Sequence, residues 1–144
     1  MATLSSSWIF WALLSAAFAA ATALLTKVGV AGIDSNLATA IRTTVILVFT
    51  WAIAIALEKH HAMAEISRRS WVFLVLSGIA TGLSWLCYFR ALQIGPASGV
   101  APVDKLSVVL VIVGAWIFLG EALTPMKAVG GLLITAGAIV LALA

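Results

Sequence analysis

At 144 residues, with 64% hydrophobic side chains and only 9% charged ones, the chain is too apolar for a soluble domain, where about a quarter of residues carry charge. Its net charge of +3 falls as a few basic residues beside apolar runs. Such residues read as signals of membrane orientation rather than as a nucleic-acid surface, and the single cysteine, Cys87, excludes an intrachain disulfide.

Five apolar segments are each long enough to cross roughly 30 Å of hydrocarbon as a helix. Continuous apolar runs of this length predict helices, because only helices and closed barrels satisfy their backbone groups in lipid. The first is expected at about 8–26, a membrane span rather than a signal peptide, since it lacks a basic n-region and four more segments follow. Trp8 and Trp11 are its interface anchors. Ser15, Ala19, Thr22 and Thr26 recur along it at steps of 4, 3 and 4, the spacing of one helical face. A flexible turn at 27–36 follows, holding Lys27, Gly29, Gly32 and Asp34.

The second span, at about 37–57, carries Arg42 five residues in and repeats the same steps at Thr39, Thr43, Ile46 and Thr50. Residues 58–70 (EKHHAMAEISRRS) are the one hydrophilic loop, in which His60 and His61 beside Glu58 and Glu65 read as solvated rather than as a metal site. The third span, at about 71–92, begins at the anchor Trp71, holds a third stripe at Ser77, Thr81, Ser84 and Tyr88, and ends near Arg90. Gly78 and Gly82 form a GxxxG that suits close helix contact. A tight turn at 93–97 (QIGPA) precedes Ser98, the expected N-cap of the fourth span at about 98–119. Pro102 is expected to bend the entry of that helix, and Asp104 and Lys105 lie six and seven residues in. In the turn GEALTP, Thr124 is placed to cap and Pro125 suits the first position of the fifth helix, at about 126–144. Gly130, Gly131 and Gly137 in that helix read as a packing seam, within or between chains. The fold expected is therefore an all-α integral membrane protein of five transmembrane helices, forming one domain over 1–144.

An odd number of spans puts the termini on opposite sides. The loops of the N-terminal side hold Lys59, Arg68, Arg69 and Lys127 against Lys27 alone on the other, which favours a cytoplasmic N-terminus. Arg42, Arg90 and Lys105, however, lie within about two turns of the second side, and counting them makes the sides equal at four each. Dual topology is therefore open.

Ionisable groups inside a bilayer point to a functional site by default. The set at one end, Lys27, Arg42, Arg90 and Lys105 with Asp34 and Asp104, sums to a surplus of two positive charges and suits an anionic or zwitterionic solute. The alternative is snorkelling of the bases to the interface, with Asp104 pairing one of them. The three hydroxyl stripes suggest a shared polar interior, lined by Thr43, Ser77, Thr81, Trp85 and Tyr88; plain helix packing explains them equally. No ligand cluster for a metal lies within the helices, a single embedded carboxylate does not support intramembrane proteolysis, and no phosphate loop is present. Neither enzymatic activity nor a cofactor is expected.

Tyr88-Phe89-Arg90-Ala91-Leu92, then Leu119-Gly120-Glu121 with Leu123-Thr124, then Gly130-Gly131-Leu132-Leu133-Ile134 leading to Gly137 form a pattern that resembles the EamA-like domain of the drug/metabolite transporter superfamily. Lys27 and Arg42 also sit where such domains often carry bases. The resemblance implies one half of a ten-helix architecture, because typical members carry two such domains in opposite orientations. It further implies an efflux or exchange transporter of amino acids or other small metabolites in the bacterial cytoplasmic (inner) membrane, with the bilayer and a small solute as partners. A half-size chain would rebuild that architecture as an antiparallel homodimer, and the glycine seam of the fifth helix resembles the dimerisation motif of the small multidrug resistance family. Asp104-Lys105 stands where many members have an apolar residue and proline. The expected function is a homodimeric secondary transporter working by alternating access. Arg42, Asp104 and Lys105 would bind or gate the solute, and Gly78, Gly82, Gly130, Gly131 and Gly137 would pack helices or the dimer. The competing expectation is an accessory or structural subunit that pairs with another half-size chain.

Overall fold

The computed structural model describes residues 7–144; the segment ahead of the first span, read as lacking a basic n-region, lies outside the described residues but for Ser7. The helices are α1 (Trp8–Gly29), α2 (Ser35–Ala56), α3 (Arg68–Ile94), α4 (Ala97–Asp104), α5 (Ser107–Phe118) and α6 (Pro125–Leu143), with a short 3₁₀ helix at Lys59–Glu65. No strand occurs among the described residues. With α4 and α5 taken as one interrupted span, five helices are long and apolar enough to cross a membrane. Hardly any of each span is buried inside the chain. Large apolar side chains such as Phe18, Leu110 and Phe118 point outward, as a surface solvated by lipid requires. The chain is an all-α, multi-pass membrane protein.

Several local expectations are corrected. The 58–70 segment is not all loop: the 3₁₀ helix occupies its centre, and α3 begins at Arg68. Ser67 starts α3 early, its Oγ accepting from the Ser70 N–H at 3.1 Å. Ser98 is not an N-cap. Helix α4 starts one residue before it, on the Pro96 carbonyl, which accepts from the Gly99 and Val100 N–H groups. Thr124 caps α6 as expected, accepting from the Lys127 N–H, with Pro125 in the first turn.

The fourth span is broken rather than bent at its entry. Pro102 offers no N–H and crowds the preceding turn, but the interruption falls just after it. The N–H groups of Lys105, Leu106, Val108 and Val109 all reach back three residues, to Pro102, Val103, Lys105 and Leu106. This is a 3₁₀ tightening inside an α-helical span.

The chain divides into two compact units, one comprising residues up to Val28 with Ile94–Ala144, the other Gly29–Gln93. In the first, α6 packs closely on α4 and α5. The small residues Gly131 and Ala138 form its buried face, and a Cβ on Gly131 would stand 3.6 Å from Ile112 Cδ1. Lys27 ties the end of α1 to the turn before α4, its Nζ donating to the Gly95 carbonyl at 2.8 Å. In the second unit, Val30, Ala38 and Phe89 form a small core with Tyr88 against it. Gln93 Nε2 donates to the Ile33 carbonyl at 2.8 Å, pinning the end of α3 to the start of α2, and Arg90 Nη1 donates to Gln93 Oε1 at 2.6 Å.

Two outcomes follow for thermal unfolding in detergent or lipid. Gly131→Ala leaves stability nearly unchanged, since the added methyl meets ordinary contact, whereas Gly131→Leu overpacks α6 against α5 and costs about 1–3 kcal/mol. Gln93→Ala removes both the bond to Ile33 and the acceptor of Arg90 and costs about 1 kcal/mol, whereas Arg90→Ala removes one exposed bond and costs less; equal losses at the two positions would show that Gln93 does not set the register.

Candidate functional site

The pin between Gln93 and Ile33 fixes how deep the second unit's charge lies. Arg42 is nine residues beyond Ile33 and Trp85 eight before Gln93. At 1.5 Å per residue the two stand level, roughly 12–14 Å from the pin. The guanidinium carbon of Arg42 lies 4.6 Å from the centroid of the Trp85 ring and 5.3 Å from that of Phe89. Trp85 and Phe89 are four residues apart on α3 and so share a face. Phe89 is held by the core, 3% exposed, which fixes one wall of this aromatic platform. Tyr88 lies within electrostatic range of Arg42. Snorkelling would carry the guanidinium toward the pinned end; it remains nearer to Trp85, at its own level, than to Phe89, one turn closer to that end.

The other charges of the expected set each have a polar partner within their own unit. Lys27 donates to the Gly95 carbonyl. Asp34 caps α2, its Oδ1 accepting from the Asn36 and Leu37 N–H groups at 2.8 and 3.1 Å. Arg90 donates to Gln93. Asp104 and Lys105 pair with each other at 3.2 Å, both partly exposed. Neighbouring side chains on a regular helix diverge; the break after Asp104 allows this adjacent pair to close. Arg42 differs. Among the described residues its partners are aromatic, and no carboxylate or carbonyl accepts from it. A guanidinium carries five N–H donors, and ring faces are no hydrogen-bond match for a full set of them.

The hydroxyls of the expected lining are turned inward to their own helices. Thr39 donates to the Ser35 carbonyl, Thr43 to Thr39 and Thr81 to Ser77, all at 2.8–2.9 Å. Their donors are thus engaged while their oxygen lone pairs stay available as acceptors. Thr43, Ser77 and Thr81 are exposed, whereas Trp85 and Tyr88 are half-buried. Arg42, Trp85 and Tyr88 therefore come together, and Ser77 and Thr81 extend the α3 stripe deeper without touching the guanidinium. Asp104 and Lys105 belong to the other unit, as a pair at the α4–α5 break.

The expected glycine set divides. Gly131 packs inside the chain, while a Cβ at Gly78, Gly82, Gly130 or Gly137 would meet nothing within 4 Å. His60 is half-buried and its ring lies 3.9 Å from that of His61, so the pair is not simply solvated. No group of three or more His, Cys, Asp or Glu that could hold a metal occurs among the described residues. Phe89, read only as part of a family motif, and Gln93, read only as part of a turn, are the participants not expected at the site. Their signals are spacing alone: Phe89 one turn from Trp85, Gln93 three residues from Arg90.

The comparisons with known proteins follow the same pattern. The model of the EamA-like transporter family matches residues 6–143, a span that includes both compact units. The "Uncharacterized transporter in cobO 3'region" of Sinorhizobium sp is 56% identical over 139 residues, 96% of this chain and 99% of that protein. No solved structure matches. The five apolar helices fit a half-size member, and with the family match extending over nearly its whole length, this chain belongs to the EamA-like transporter family.

Proposed function

We propose that the chain is a secondary transporter of a small polar or charged metabolite that carries an anionic group, amino-acid-like or otherwise. The observation that carries this reading is Arg42, held over Trp85 and Phe89 with its N–H donors free of any acceptor among the described residues. A half-buried guanidinium within a membrane span is costly to keep without a counter-charge. A solute carboxylate or phosphate would supply that counter-charge each time it entered. Membership of a transporter family supports movement of the solute rather than its chemical conversion.

The chain works as an antiparallel homodimer by alternating access, in the bacterial inner membrane. The unfilled faces at Gly78, Gly82, Gly130 and Gly137 support a second copy, because small residues let helices approach closely. The near-equal distribution of basic residues over the two sides supports insertion both ways round. The break in the fourth span, with Asp104 and Lys105 at it, supports a gate there, since interrupted helices carrying charge are a recurrent transporter device.

Purified protein in liposomes is expected to exchange a labelled metabolite from a mixed pool. Arg42→Ala lowers that flux by about tenfold to a hundredfold, the worth of charge-assisted hydrogen bonds of roughly 1.5–3 kcal/mol, and Asp104→Asn lowers it less. Full flux in Arg42→Ala would reduce the residue to an anchor. Reporters fused to the C-terminus are expected to be active on both sides of the membrane; activity confined to one side would remove the antiparallel homodimer and leave the accessory-subunit reading.

A further inference from the structure

The site's charge partners narrow the solute further. The chain has five carboxylates, Asp34, Glu58, Glu65, Asp104 and Glu121. Glu58 and Glu65 lie outside the spans, at the two ends of the 3₁₀ helix. Asp34 caps α2 through two backbone N–H groups. Glu121 accepts from Lys127 at 3.0 Å in the turn before α6. Asp104 is the one carboxylate within the described spans, and Lys105 engages it at 3.2 Å. An amino-acid-like solute brings an ammonium as well as a carboxylate. Arg42 answers the carboxylate, but every carboxylate inside the spans already has a cation. An ammonium beside the carboxylate would also stand close to Arg42, where like charges repel strongly in a low-dielectric setting.

We infer that the Arg42 site selects a small oxyanion, carboxylate or phosphate, that carries no ammonium. The inference rests on the transporter reading for its setting and concerns the same site. The aromatic platform is part of the selection. Trp85 and Phe89 hold the guanidinium carbon at 4.6 and 5.3 Å from their ring centroids, and a guanidinium is a planar fork that matches two oxygens of one oxyanion. The threonine oxygens at Thr43 and Thr81 remain acceptors only. They can accept from a solute O–H or N–H but carry no negative charge to neutralise an ammonium.

The test compares propionate with alanine, which share a skeleton and differ by the ammonium, and adds methyl phosphate and propylammonium. The full chain is held in lipid nanodiscs, and binding is read as a rise in melting temperature, since a ligand that binds only the folded state stabilises it by mass action. Propionate or methyl phosphate is expected to stabilise saturably, and the comparison between the two shows which oxyanion is preferred. Alanine is expected to bind at least about tenfold more weakly, with no effect from propylammonium. Arg42→Gln should abolish the anion effect and Arg42→Lys should weaken it. Alanine binding as tightly as propionate, an undiminished effect in Arg42→Gln, or no stabilisation by either anion overturns the inference. If Arg42→Gln does not fold, competition of propionate and alanine for the same bound anion on the unmodified chain decides it: equal displacement overturns the inference. Flux of the same solutes in liposomes separates the two readings. Binding of anions without flux sinks the transporter and leaves the site, whereas alanine flux without anion binding sinks the site and leaves the transporter.

Discussion

A charge placed within a hydrocarbon layer has no water to answer it, so the chain must answer it or the ligand must. That constraint orders most of what is seen at the charged residues in and beside the spans. Lys27 is answered by a backbone carbonyl left open at a helix end, Asp34 by N–H groups left open at a helix start, and Arg90 by a glutamine. The first two use backbone groups that a helix terminus or turn leaves unsatisfied, and the third a side-chain amide, so these charges complete the fold. Arg42 is answered differently, by ring faces worth about 0.5–2 kcal/mol each. Such contacts hold the cation in position without a carboxylate or carbonyl among the described residues, unlike the other three.

The interruption of the fourth span answers the same constraint by another route. Proline removes one hydrogen bond, and the chain recovers by tightening the next turn to three-residue bonds. The tightened turn in turn lets Asp104 and Lys105 meet although they are adjacent in sequence. The pair and the break therefore depend on each other: a continuous helix would point the two side chains apart and leave two charges unanswered. A pair made of neighbouring residues moves as one body, so it neutralises the break whichever way the flanking helices α4 and α5 lean.

The five spans were legible because apolar runs of about 20 residues admit one structure in lipid, and the family because its short motifs follow one another between Tyr88 and Gly137. The cap at Thr124 was legible from its proline neighbour. Ser98 misled because a capping hydroxyl and a helix start on the preceding proline leave the same local sequence. The bend expected at Pro102 was displaced, since proline acts on the turn before it while the compensating bonds form after it. The glycine seam was ambiguous by construction: Gly130 with Gly137 and Gly131 with Ala138 are both seven apart, and only packing chooses which pair faces the chain's own helices. Phe89 was invisible for a simpler reason. A phenylalanine in an apolar helix carries no compositional signal, and its role appears only when a base from another helix rests on it.

The two units are packed by different means, and the difference bears on where a site can exist. In the unit with α4, α5 and α6, backbones approach closely over Gly131 and Ala138, and such contact leaves no room for a solute. In the unit with α2 and α3, the core is small, and the helices are joined by a single glutamine pin and by the long side chains of Arg42, Trp85 and Phe89. Contacts made through long side chains can separate and re-form by rotamer changes on fast timescales, whereas glycine-mediated backbone contact must slide or break as a whole. Arg42 thus rests on rings in the unit whose helices meet through side chains that can re-form their contacts, and not in the unit closed by backbone approach.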